Sequence, residues 1–360
     1  MGLDGLGRLA CLDYQGRAML LSDYGYGLLT TDEVWIITMK VVYCVKAGSH
    51  LDLEYQDIAI PCEPGPGEIQ VSVDARGIQF SDLVKFAGQY QESSGYPFVV
   101  GGEGAGSVIA LGSSVTSVEL GAKVLVPAGC AEIVNVSAKA VTQIPDGVDL
   151  KMAASFRNNY LTALDGLTRA GLQPGETLLV HGAAGGVGLA AVDIGKLMGA
   201  RVIGTASSDE KLAVVTKMGA DEVINYIDGF RDQVKDLTGG LGADVIYDPV
   251  GGDVFDESMR CIAPFGRILV VGFTAGRPAL AKTNHLLVKD ATVIGYTVGG
   301  LQRHRPQVAH GHMQVLMGWL ASKRIQPFIS HVLPMADIIE AYQLLVDRKV
   351  VGKVIITNNE

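Results

Sequence analysis

No stretch of this chain is rich in lysine or arginine. Its 360 residues carry 29 Lys and Arg against 38 Asp and Glu, a net charge of −9. Nothing here builds a basic groove, so nucleic acid and anionic membrane surfaces are not expected partners. No apolar run approaches the length of a membrane span. The first residues lack the apolar core of a signal peptide. An arginine-rich, acid-poor presequence is missing too, because Asp4, Asp13, Asp23, Asp32 and Glu33 stand against Arg8 and Arg17. Cysteine is sparse. Cys11, Cys44, Cys62, Cys130 and Cys261 are scattered, with no C-x-x-C pair. That fits a reducing compartment, with cysteines serving mainly as small buried apolar residues, and the expected location is the cytoplasm. No internal repeat stands out, and no Ser/His/Asp or Cys/His arrangement suggests a nucleophile.

What the chain does have is glycine, 46 residues of it, and a composition that is 48% hydrophobic. Its length suits two domains with sizeable cores. Residues 1–38 have no clear period and read as an extension, either flexible or an artefact of an upstream start. A regular pattern begins at Met39. Short alternating segments such as IQVSVDARGI, GSVIALG and AKVLVPAG, broken by turns such as CEPGPGE, predict a β-rich module up to about Val136. From Thr177 the pattern becomes strand–helix alternation. RVIGTAS, DEVINY, ADVIYDPVG, GRILVVGF and ATVIGYTV supply apolar strands with helical segments between the earlier ones, which predicts a parallel sheet covered on both faces. One or two helices follow Gly300, and GKVIIT reads as a final strand.

The sharpest motif is TLLVHGAAGGVG at residues 177–188. An apolar strand runs into a glycine turn and then into a helix, the order that a dinucleotide phosphate requires. Glycine lets the backbone approach a pyrophosphate, and the helix N-terminus offers unpaired N–H groups. Ala183 takes the first position of G-x-G-x-x-G, with Gly185 and Gly188 at the others. Gly186 and Val187 lie between them. The alternative reading is a tight turn that only packs helix on strand. An NAD-selective site would place an acid at the end of the next strand, about 20 residues on. Ser207, Ser208 and Lys211 stand there instead. A hydroxyl and an ammonium suit a 2′-phosphate, which points to NADP(H). Ser207 and Glu210 also spell a capping box, which is compatible with phosphate binding. Without the missing acid, Lys211 would read as a solvated surface lysine.

GETLLVHGAAGGVGLAAVDIGKLMGARVIGTASSDEKL, with GADEVINY, DVIYDPVGG and GRILVVGF, resembles the zinc-independent medium-chain dehydrogenases/reductases. Within them it is similar to the NADPH:quinone oxidoreductases of the zeta-crystallin type. PGPGEIQVSVDARGIQFSDLVKFAGQY resembles that family's GroES-like domain. The resemblance runs from about Met39 to the C-terminus. It implies an α/β protein in which a doubly wound parallel Rossmann sheet is inserted in a GroES-like, β-rich catalytic domain. The implied division is residues 39–158 catalytic, 159–298 Rossmann, and 299–360 returning to the catalytic domain. It also implies a homodimer.

Several cofactor contacts follow from the resemblance. Thr162 matches a threonine near the nicotinamide carboxamide, though a helical threonine can equally bond its own backbone. Tyr226 matches a tyrosine beside the 2′-phosphate, or else packs on the sheet. Arg348 matches a C-terminal arginine reaching the same phosphate, and in isolation would be a surface charge. Phe273 falls at a strand's carboxyl end, or else fills core. Candidate pocket residues are Gln79, Tyr90 and Tyr296. Tyr90 could stack on a quinone or be a half-buried loop aromatic. Tyr296 reads equally as a subunit-interface residue.

Zinc-dependent relatives carry a histidine where GGEGAG has Gly102, and Cys130 is alone in its region. His304, His310 and His312 cluster in a polar segment without an acid or cysteine partner, and read as a solvated loop or helix start. No metal is therefore expected. Two positions depart from the family: Gln79 replaces its usual Asn, and Val100 its usual Pro. The expected activity is direct hydride transfer from NADPH to a quinone or similar conjugated carbonyl. An enoyl or enone reductase and a low-turnover, crystallin-like NADPH binder are the alternatives.

Overall fold

The computed structural model describes residues 8–12, 18–20, 34–90 and 95–358. They fall into two compact units. One holds the described residues up to Ala154, with Val332–Arg348 and those from Ile355 on. The other holds Ser155–His331 and Lys349–Val354.

The first unit is β-rich. Its main sheet runs Thr142–Gln143, Lys123–Val126, Gly104–Leu111, Glu68–Ile78, Lys353–Thr357, Ile329–Pro334, and Ile133–Ser137 also pairs with Glu68–Ile78. The alternation in IQVSV explains the long strand. Ile69, Val71 and Val73 point inward and are fully buried, packing with Val124 and Val126, while Gln70 and Ser72 stay half-exposed. Each such side chain contributes about 1.5–3 kcal/mol on leaving water. A second sheet joins Leu53–Ala59, Thr38–Cys44 and Phe98–Val99. Within the N-terminal extension, Ala18–Leu20, Arg8–Leu12 and Val34–Ile36 pair as a small sheet. The rest of residues 1–36 lies outside the described residues.

The second unit has the predicted strand–helix alternation. Its elements are β1 (Thr177–Val180), α1 (Gly186–Leu197), β2 (Arg201–Ala206), α2 (Asp209–Lys217), β3 (Glu222–Asn225), α3 (Arg231–Leu237), β4 (Ala243–Asp248), α4 (Gly252–Cys261), β5 (Ile262–Val270), α5 (Thr283–Lys289) and β6 (Thr292–Gly295). The six strands are parallel, in the order β3-β2-β1-β4-β5-β6. The order reverses between β1 and β4, and ligands of open α/β sheets bind beyond the strand ends at such a reversal. Strands β1, β2 and β4 are buried almost throughout, because helices cover both faces. Helix α5 had no counterpart in the sequence reading.

The Rossmann-containing unit extends past residue 298, to His331. The reason is packing. Helix Pro306–Ala321 lies against helix Arg157–Arg169 of the same unit, and His312 Nδ1 stands 3.4 Å from Asp165 Oδ1. His312 thus has the acid partner that the sequence reading did not give it, and sits on a helix. Among the described residues no cluster of His, Cys, Asp and Glu could hold a metal ion. None of the described helices is long and apolar enough to cross a membrane.

Cysteine usage also departs from expectation. Cys44, Cys130 and Cys261 are buried free thiols, but Cys62 is disulfide-bonded. The scattered-thiol reading therefore holds at those three positions and not at Cys62, while the Cys11 side chain lies outside the described residues.

Candidate functional site

Strand β1 delivers the chain to a turn in which Gly182, Gly186 and Gly188 each have a steric reason. Gly182 has φ +55°, a left-handed conformation that Cβ disfavours. A Cβ on Gly188 would collide with the Gly182 carbonyl and stand 2.7 Å from Ala183 Cα. A Cβ on Gly186 would collide with the side-chain amide of Asn159. Ala183, at the substituted first position, is fully buried, and its N–H donates to Thr205 O at 2.9 Å. Gly185 is exposed, with Gly186 and Val187 half-buried. Gly185 is the N-cap of the 12-residue α1 and gives it no side-chain cap. The first turn therefore keeps open backbone donors at the positive end of the helix, the requirement for an anion. This cradle fits a pyrophosphate.

Beneath the turn, His181 is fully buried, with Nδ1 3.0 Å from Thr205 Oγ1 and Nε2 2.8 Å from Ser258 Oγ. Burial pushes its pKa down to about 3, so the ring is neutral. It fixes the strand end without adding charge.

Strands β2 and β3 pair through Ala206 and Asn225. Ser207 and Tyr226 are therefore the next residues at two adjacent carboxyl ends. The helix cap is Ser208, not Ser207: Ser208 Oγ accepts from Lys211 N at 3.4 Å. This corrects the capping-box reading, since Ser208 takes the extended N-cap conformation. It leaves the half-buried Ser207 hydroxyl outside the cap. Asp209 Oδ1, at the first helical position, accepts from Asn225 Nδ2 at 3.2 Å. Tyr226 packs partly on the core cluster around Ile224 and Phe230. Lys211 is half-buried in the first turn of α2.

The other cofactor candidates are placed as follows. Thr162 is buried, and its hydroxyl donates to Asn158 O at 2.6 Å, a bond within its own helix. Phe273 is 39% exposed rather than core, and a Cβ on Gly251 would lie 2.9 Å from its ring. Arg348 is exposed, with φ +57°. It stands just before the segment whose Gly352 N–H donates to Ala184 O at 2.8 Å and bridges Gly185.

In the first unit, Gln79 is half-buried at the N-cap of helix Phe80–Phe86. Tyr90 is half-buried after that helix, with Lys85 Nζ 5.4 Å from its ring centre. Gly102 has open space where a Cβ would stand. Val100, in place of the family proline, is fully buried, and its N–H donates to Val42 O at 3.0 Å. A proline would lose that bond. Tyr296 is not open to solvent. It is 5% exposed in the second unit, near Gly166, with Arg169 over its ring at 5.8 Å. Burial pushes its phenol well above the ordinary range. This departs from the pocket reading, because the tyrosine packs inward against helix Arg157–Arg169.

Sequence reasoning missed Asp82 and Tyr342, both fully buried. Asp82 Oδ2 accepts from Gln79 N at 3.0 Å and from Tyr342 Oη at 3.1 Å. No local signal links two residues so far apart in sequence. Asn159 and His181 were also missed. His181 is a polar residue inside an otherwise apolar run, the one available signal, whereas Asn159 follows Arg157 and Asn158 and has none.

Known proteins place these features. Residues 65–151 match the alcohol dehydrogenase GroES-like domain family, and residues 186–313 match the zinc-binding dehydrogenase family. The chain is similar to "Quinone oxidoreductase-like protein 2 homolog" of Nematostella vectensis, 39% identical over 329 residues, covering 89% of each chain. It is 33% identical over 310 residues to "Quinone oxidoreductase" of Pseudomonas aeruginosa, covering 84% of this chain and 95% of that one. Among solved structures it is similar to Escherichia coli quinone oxidoreductase complexed with NADPH, with TM-score 0.81 and 28% identity, covering 88% of this chain and 99% of that one. It is also similar to the CurK enoyl reductase, with TM-score 0.79 and 25% identity, covering 89% and 99%. With its glycine turn, its six-stranded parallel sheet and its GroES-like partner unit, the chain belongs to the medium-chain dehydrogenase/reductase family, in the zinc-independent quinone oxidoreductase branch.

Proposed function

We propose that this oxidoreductase uses NADPH to reduce a quinone or a similar conjugated carbonyl by direct hydride transfer, without zinc. The observation that carries the cofactor choice is the pairing of β2 with β3. It puts Ser207 and Tyr226 each one residue past two adjacent strand ends, with no carboxylate at position 207. Gly185, Gly186, Val187 and Gly188 would hold the pyrophosphate, with Ser207, Lys211, Tyr226 and Arg348 serving the 2′-phosphate. Thr162 and Phe273 would flank the nicotinamide end. Bound there, the cofactor supplies the hydride.

The protein's part is orientation and exclusion of water. Gln79 offers an amide and Tyr90 a phenol and a ring face to the acceptor. Reduction of a quinone leaves a stabilised hydroquinone anion, so water can supply the protons and no buried acid is needed. Gly102 stands where zinc-dependent relatives carry a histidine ligand, which supports the metal-free reading.

NADPH oxidation against a panel of quinones, enones and enoyl thioesters tests this. Turnover of enoyl thioesters alone would overturn the quinone assignment in favour of an enoyl reductase, a reading that the CurK likeness supports. NADPH binding with no turnover of any acceptor would favour the low-turnover reading, and recovery of activity in Gln79→Asn would trace it to the longer amide. The reading includes a small-molecule partner, a cytoplasmic setting and a homodimer. Strand β6, at one end of the six-stranded sheet, supports self-association. A single-chain mass in sedimentation would overturn the dimer.

A further inference from the structure

Helix Phe80–Phe86 carries more than Gln79 at its start. Asp82 and Lys85 follow at successive steps of three, so Gln79, Asp82 and Lys85 lie along one side of it. Asp82 is 1% exposed at its side chain and Lys85 28%. A buried carboxylate needs partners, and Oδ2 already has two of them, Gln79 N at 3.0 Å and Tyr342 Oη at 3.1 Å. Lys85 Nζ approaches the other oxygen, Oδ1, at 3.4 Å. That is long for a charge-assisted bond, which closes to about 2.7–2.9 Å. The ammonium also stands 5.4 Å from the Tyr90 ring centre, within the reach of a cation–π contact. It is thus held between a carboxylate and an aromatic face, without being drawn fully onto either. It has three donors, and part of the side chain remains open to solvent.

We propose that Lys85 is a specificity-determining residue, selecting acceptors that carry an acidic substituent, such as a carboxylate, a sulfonate or an ionised ring hydroxyl. The inference rests on the reading of Gln79 and Tyr90 as acceptor contacts. Lys85 is anchored from the same helix as one of them and sits against the other. An acidic group on a ring stacked at Tyr90 would take the donors that Asp82 leaves. In a chain of net charge −9, an ammonium placed against the acceptor's ring favours an acidic substituent, since complementarity of charge decides which partner is accepted. Lysine acts here as a point charge on a flexible stem, so it tolerates acidic groups of different shape.

The experiment compares a sulfonated naphthoquinone with its unsubstituted parent. For each, kcat/KM is measured with saturating NADPH in the wild type, Lys85→Met and Lys85→Arg. The expected result is a charged-over-neutral ratio that falls about tenfold in Lys85→Met, stays within about threefold in Lys85→Arg, and narrows with added salt in the wild type. A ratio in Lys85→Met within twofold of the wild type would overturn the inference while leaving the oxidoreductase reading intact. If the wild type turns over neither quinone, that failure belongs to the oxidoreductase reading. Calorimetric binding of naphthalenesulfonate to the NADP⁺-loaded protein then decides for Lys85: weaker binding in Lys85→Met supports it, and equal binding overturns it. Circular dichroism melts show whether Lys85→Met is folded. If it is not, Lys85→Gln takes its place, with the same ratio read.

Discussion

The Asp82 carboxylate accepts a hydrogen bond from the Tyr342 hydroxyl at 3.1 Å, across 260 residues of sequence. Tyr342 lies on helix Ile338–Val346, while Asp82 holds the Gln79 main chain. Burial pushes the Tyr342 phenol well up, so it remains a donor at any working pH. Its ring also meets Phe86 edge-on at 5.0 Å. Tyr342→Phe keeps that packing and removes one bond to a buried charge. It is expected to cost about 2 kcal/mol, read as a lower urea midpoint with an unchanged slope. An unchanged midpoint would mean that water replaces the phenol.

Gly188 leaves no room for a side chain against the Gly182 carbonyl and Ala183 Cα. Both obstacles are backbone, so neither can turn aside. Gly188→Ala is expected to destabilise by about 1–3 kcal/mol and to weaken NADPH binding at least tenfold in a fluorescence titration. Native-like affinity would detach the turn from the cofactor.

Ser207 stands at the strand end where NAD-selective sites place an acid. Ser207→Asp is expected to lower the kcat/KM preference for NADPH over NADH by at least tenfold, about 1.4 kcal/mol, through repulsion of the 2′-phosphate. If the wild type itself prefers NADH by that margin, the assignment to NADP(H) fails.

The pKa of His181 is lowered from 6.5 to about 3 by burial. The unfolded chain therefore binds a proton below about pH 6.5 that the folded chain refuses until about pH 3. Stability contributed by the neutral ring is present above the unfolded value and is lost as pH falls through that window. His181→Asn should flatten the dependence of the urea midpoint on pH between these limits, relative to wild type. An equal slope in both proteins would place the titrating group elsewhere.

Much of the Rossmann unit was legible because its signals are local. Apolar runs of strand length, separated by helical segments, led directly to β1 through β6. The turn at residues 182–188 was legible for the same reason, since strand, glycines and helix are contiguous. Other features were not. Ser207 and Ser208 are adjacent and chemically alike, and only the backbone dihedrals choose the cap. Tyr296 follows the last strand of the sheet directly, and only packing turns it inward against helix Arg157–Arg169. The segment after residue 298 has helical character anywhere, but its attachment to the second unit depends on the helix it meets.

The sequence by itself determined the alternation of strand and helix, the phosphate turn and the absence of an acid at the end of β2. These follow from side-chain period and residue type over a few neighbours. Tertiary structure decided which distant groups share a buried charge. Asp82 drew in Tyr342 from the far end of the chain, and His181 found Ser258 beneath the turn. A buried polar atom must find a partner wherever the fold brings one, and that partner need not be near in sequence.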